Sequence, residues 1–98
     1  MDLRKYKAPI HKAEFEEIGT FYFCKVSYGR SNEIDAIEDP DKRIKTFLSE
    51  CLCDENGKLY NYTHEELESY PTGIIKTLYL EFIEFHERKK KIISQKKK

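Results

Sequence analysis

The sequence predicts an α+β domain, in which an N-terminal strand or hairpin is followed by three to four helices that supply most of the core. Three observations lead there. The run GTFYFCKV at 19–26 concentrates aromatic and β-branched residues beside turn-forming glycines, as a strand does. Ile44, Phe47, Leu48, Cys51 and Leu52 recur at i, i+3, i+4, i+7 and i+8, which places them on one helical stripe. GIIKTLYLEFIEF at 73–85 has too many apolar positions for a strand and suits a helix with a wide buried face. With 98 residues, the chain is the size of one domain.

The elements follow in chain order. Residues 1–13 show no period, and Pro9 among mixed charges predicts an extended arm ahead of a single domain at 14–91. Phe21, Phe23 and Lys25 alternate with Tyr22, Cys24 and Val26, and residues 13–18 are the candidate hairpin partner, turning near Ile18-Gly19. A short helix over 31–38 is expected, with Ser31 as its N-cap and Pro40 as its stop. The apolar stripe predicts the next helix over 41–53, ended by Asp54-Glu55-Asn56-Gly57. Thr63 and Glu66 have capping-box spacing, so a helix should begin at 64 and run to about 69. Pro71 suits the first turn of the last helix, from about 72. The basic end at 92–98 is expected to be disordered.

Composition narrows the function. Hydrophobic residues make up 39% and charged residues 37% of the chain, which fits a soluble globule with one modest core. The zero net charge hides an asymmetry. Seven of the 18 Lys and Arg fall after residue 87, leaving 11 basic against 18 acidic residues in the first 87. An acidic body argues against nucleic acid as a partner, because such binding needs a concentrated basic surface. The start of the chain lacks the apolar stretch of a signal peptide, and no apolar run is long enough to span a membrane. Three cysteines in no framework spacing read as reduced thiols in a cytoplasm.

Residues 51–71, CLCDENGKLYNYTHEELESYP, hold the candidate chemistry. Cys51 and Cys53 are spaced C-x-C with no second pair to complete a zinc site alongside His11, His64 or His86. Calcium fails in both registers. With Gly57 at the required glycine position Leu52 becomes the first ligand, and with Asp54 first Leu59 takes the glycine's place. Thiol redox chemistry favours a C-x-x-C at a helix start, whereas this pair lies near a helix end. No Gly-rich phosphate loop, HExxH or GxSxG occurs. The expectation is therefore no catalytic residue, no metal and no cofactor. The surplus of apolar residues on the last helix points instead to a partner face at Ile75, Tyr79, Phe82 and Phe85.

The order of these pieces resembles the small tail assembly chaperones of long-tailed bacteriophages and prophages. GTFYFCKVSYGRSNEID is similar to that family's strand leading into a short acidic helix. RIKTFLSECLCDENGKLYNYTHEELESYP resembles its apolar helix, Asp-Glu-x-Gly-Lys turn and second acidic helix, and GIIKTLYLEFIEFHE its closing helix. The likeness covers roughly residues 15–87 and contains no catalytic signature; the basic tail and His64 depart from the family pattern. It implies a non-enzymatic protein of the bacterial host cytoplasm, and the strand edge and the last helix offer contact surfaces for a homo-oligomer. Such a protein binds the apolar tape-measure protein and helps recruit tail-tube protein during virion morphogenesis. The alternative is a small regulatory protein that binds nucleic acid or another protein through its basic C-terminal tail.

Overall fold

The computed structural model describes residues 2–86, so the basic tail predicted at 92–98 lies outside the described residues. The fold is α+β. After a single 3-10 turn at Leu3–Lys5, the strands are β1 (His11–Phe15), β2 (Gly19–Phe23) and β3 (Leu52–Cys53). The helices are α1 (Tyr28–Asp35), α2 (Pro40–Cys51), α3 (His64–Glu68) and α4 (Thr72–His86). The sheet is antiparallel in the order β1-β2-β3.

The hairpin forms as its pattern dictates. His11 pairs with Phe23, Ala13 with Phe21 and Phe15 with Gly19, and Gly19 closes the turn at a positive φ of 100°. β1 begins at His11, inside the stretch read as an arm, because Lys12 and Ala13 meet Tyr22 and Phe21 across the ladder. One sheet face turns to the helices. Ala13 and Phe23 are buried on it, and the His11 ring stacks on Phe85 of α4 at 4.6 Å. The ammonium of Lys25, just past β2, lies 5.2 Å from the same Phe85 ring.

Two helix starts differ from expectation. α1 is capped by Ser27, whose hydroxyl accepts from the Arg30 amide at 3.2 Å. Ser31 is buried one turn into α1, with its Oγ 3.4 Å from Nε2 of His86. A serine cannot cap from inside a turn whose amides are already bonded: the Ser31 amide donates to the Ser27 carbonyl. Pro40 opens α2, after the Asp39 carboxylate has capped it through the Asp41 amide. Proline's fixed φ and missing N–H cost nothing at a first helical position.

The largest departure is at Leu52 and Cys53. Both fall inside the helix expected over 41–53, and Leu52 on its stripe, but they leave α2 and pair with Phe23 and Tyr22 as β3. The Cys24 amide donates to the Cys51 carbonyl at 2.7 Å, and the Leu52 carbonyl accepts from Tyr60 at 3.2 Å. The ladder therefore satisfies backbone groups that the helix end would leave bare. Asp54-Glu55-Asn56-Gly57 consequently turns a narrow loop that brings Leu59 opposite Cys53. The Asp54 carboxylate accepts from the amides of Lys58 and Asn56, and Gly57 sits at φ 88°. α3 keeps its expected start, with both bonds of the Thr63–Glu66 capping box formed.

Candidate functional site: an apolar cleft under the hairpin tip

α4 runs beneath the sheet, and its two halves are buried to different degrees. In its C-terminal half Phe82 is completely buried and Phe85 nearly so. The Phe47 ring of α2 lies 5.1 Å from that of Phe82, and His86 stacks on Phe82 from the other side. These aromatics close the core. The N-terminal half lies under the hairpin tip, where Phe15, Ile18 and Phe21 are only half-buried, and so are Ile74 and Ile75 below them.

The result is an apolar cleft of about 430 Å³ between hairpin, α3 and α4, lined by Ile18, Phe21, Tyr62, Tyr70, Ile74 and Ile75. A second opening of about 590 Å³ continues past Ile18 and Ile74 to Phe15, Pro71 and Thr77. A third shares Ile75 and Tyr70 and runs towards Asp41 and Lys45 on α2. Carboxylates stand at the lip on the hairpin side: Glu14, Glu16 and Glu17. On the far side Glu68 is bonded to Lys45. That contact, chiefly through its hydrogen bond, holds the Glu68 carboxyl below its usual range.

The partner face expected at Ile75, Tyr79, Phe82 and Phe85 is therefore divided. Phe82 and Phe85 are core residues in this fold and offer no surface to a partner, because the sheet and α2 cover the C-terminal half of α4. Tyr79 is half-buried, its ring 6.3 Å from that of Phe47. Ile75 lines the cleft. Sequence reasoning missed Ile18, Phe21, Tyr62, Tyr70 and Ile74. One signal was present: Ile18 is an apolar residue in a hairpin turn, where polar residues are the norm. The most exposed apolar side chain of α4 is Leu80, on its outer side.

The fold brings the three cysteines together although the sequence separates them. Cys51 and Cys53 are buried, and Cys24 is half-buried with its thiol 3.5 Å from the Gly57 carbonyl. Burial pushes the Cys51 thiol well above its ordinary range. The Cys53 thiol is pushed up to about 12, first by burial and then by the neighbouring Cys24. Thiols held protonated in this way are poor nucleophiles and poor metal ligands at neutral pH. Among the described residues no group of three or more His, Cys, Asp or Glu side chains is arranged to hold a metal ion.

The histidines are dispersed. His11 Nε2 lies 2.6 Å from Glu81 and ties β1 to α4, while His64 occupies the first position of α3. His86 packs on Phe82, and its buried Nδ1 has no hydrogen-bond partner among the described residues. None of them approaches the cysteines closely enough to form a metal cluster. Among the described residues no helix is long and apolar enough to cross a membrane. Comparison with protein-family models, characterised proteins and solved structures finds no match.

Proposed function

We propose that this protein is a tail assembly chaperone of the long-tailed bacteriophage type, which binds an apolar segment of a tape-measure protein and performs no chemistry. The observation that carries this reading is the cleft: aliphatic and aromatic side chains left half-covered at one end of an otherwise closed core. Such a gap is a cost to a monomer unless another chain fills it. The order of strand, helix, turn, short acidic helix and long apolar helix supports the same reading through the family resemblance. The acidic body suits a chaperone that must keep an apolar client in solution, since charge of one sign disfavours association. Recruitment of tail-tube protein, self-association and action in the host cytoplasm belong to the same proposal.

The test is co-expression with a tape-measure protein encoded beside this gene. The expected result is a soluble complex that Ile74→Asp disrupts while the circular dichroism of the variant stays native. A tape-measure protein that remains insoluble, with no complex recovered, would sink the reading.

A further inference from the structure

The charge around the cleft specifies more than an apolar client. The hairpin tip places Glu14, Glu16 and Glu17 on one lip. Glu14 is bonded to Lys12 at 3.2 Å, whereas Glu16 and Glu17 are exposed and make no ion pair among the described residues. On the opposite lip Lys45 is engaged by Glu68, leaving Lys76 as the cation without an ion pair among the described residues there, with Asp41 close by. The lip is thus net negative, and its two unpaired glutamates stand directly beside Ile18, the apolar residue of the turn. Isolated acids on a surface mean little. Here Glu17 lines the apolar cleft of about 430 Å³ and Glu16 the opening that continues it past Ile18, which gives the site both an anchor and a sign.

We infer that the cleft takes a peptide segment with apolar anchors flanked by lysine or arginine. The anchors fill the space among Ile18, Phe21, Ile74 and Ile75, and the flanking cation meets Glu16 and Glu17. The inference builds on the chaperone reading by stating the chemistry of the client segment. It would equally hold for another peptide-binding role. The glutamates act on selectivity and encounter, because exposed charges are screened and contribute little raw affinity.

Two fluorescein-labelled helical peptides with leucines at i, i+3, i+4 and i+7, one with lysines at both ends and one with glutamates, test this in anisotropy titrations of the full chain. The lysine peptide should bind about tenfold more tightly at low salt, with the gap closing as salt is added. Glu16→Lys with Glu17→Lys should reverse the preference. That pair lies on an exposed turn, so an unchanged urea midpoint establishes that the fold is intact. Ile74→Ala should weaken both peptides. Equal binding of the two peptides, binding of neither, or indifference to the glutamate reversal would overturn the inference.

Two further outcomes would also overturn it by naming another occupant. One is a rise in affinity for the lysine peptide on removing residues 88–98. The other is a dimer in sedimentation equilibrium that the Ile74 variant abolishes. Lysine-peptide binding without a tape-measure complex would sink the chaperone reading alone, and a complex without the charge preference would sink this inference alone.

Discussion

The two halves of α4 are built from similar residues and end in opposite circumstances. Ile74, Ile75 and Leu78 in the first half are as apolar as Tyr79, Phe82 and Phe85 in the second. Yet Ile74 and Ile75 stay half-exposed while Phe82 and Phe85 are sealed. The difference lies in what covers them. The second half meets β1 and β2 near His11 and Phe23, and meets α2 at Phe47. In the first half Leu78 is buried, but Ile74 and Ile75 face the hairpin's turn, the short helix α3 and the start of α2, which leave them half-covered. Apolar content therefore does not separate closed core from open cleft in this protein. Cover does.

The sharpest way to break this comparison is to remove the centre of the closed half. Phe82→Ala should destabilise the fold by about 3–5 kcal/mol, as expected when a fully buried phenylalanine leaves a cavity. Urea unfolding measures it. A loss no larger than that of a cleft variant would mean that the two halves are not energetically distinct.

The thiols offer a second contrast, since they line the closed side where β3 joins β2. At neutral pH a disulfide reagent should modify Cys24 first and reach Cys51 and Cys53 only as the chain unfolds, because Cys24 alone is half-exposed. The pH dependence has a definite sign. The folded state keeps the Cys53 thiol protonated up to about 12, against an ordinary value of 9.0. Its stabilising effect is complete below pH 9.0 and is lost as pH rises towards the folded value, because the unfolded chain gives up its proton first. Cys53→Ala should flatten that alkaline decline. A decline of equal slope in the variant would assign it to other groups, the raised Cys51 thiol first among them.

Much of this architecture was legible in the sequence wherever a local rule and the tertiary fold agreed. Thr63 and Glu66 form the capping box that their spacing announces, and the alternation of Phe21 and Phe23 with Tyr22 produces the strand. Legibility failed where two rules competed. Ser27 and Ser31 are both good caps, and only the backbone path decides between them. Leu52 obeys the helical period, but it and Cys53 pair with β2 instead. The cleft was partly legible, through Ile75. Its other wall comes from a hairpin tip some 50 residues distant in sequence, on the order of the long-range separations that no local pattern encodes. Phe82 and Phe85 were misjudged for the same reason, since nothing near them in sequence reveals that the sheet lies over them.

Thr63→Ala tests the frame that holds one side of the cleft. It removes the oxygen that accepts from the Glu66 amide at 3.1 Å, and it should cost about 1 kcal/mol. α3 carries Leu67 into the core and is flanked in the chain by Tyr62 and Tyr70, which both line the cleft. A loosened α3 should therefore weaken peptide binding more than its effect on global stability suggests. If affinity is unchanged, the tyrosines are held by the rest of the chain.

The smallest effect on stability is expected from Ile18→Ala at the hairpin tip. Ile18 is half-buried, and the cleft beneath it is already open, so the truncation adds little cavity and should cost under about 1 kcal/mol. Its effect on peptide affinity should run the other way. A peptide seated in the cleft as proposed would cover Ile18 from its open side, so its loss would then count in full. Phe82→Ala and Ile18→Ala together therefore form a crossed pair: one lowers the urea midpoint strongly, and the other lowers peptide affinity while leaving the midpoint nearly untouched. If Ile18→Ala instead lowers the midpoint as far as Phe82→Ala does, the hairpin tip belongs to the core, and the division of α4 into a closed half and a receptive half is wrong.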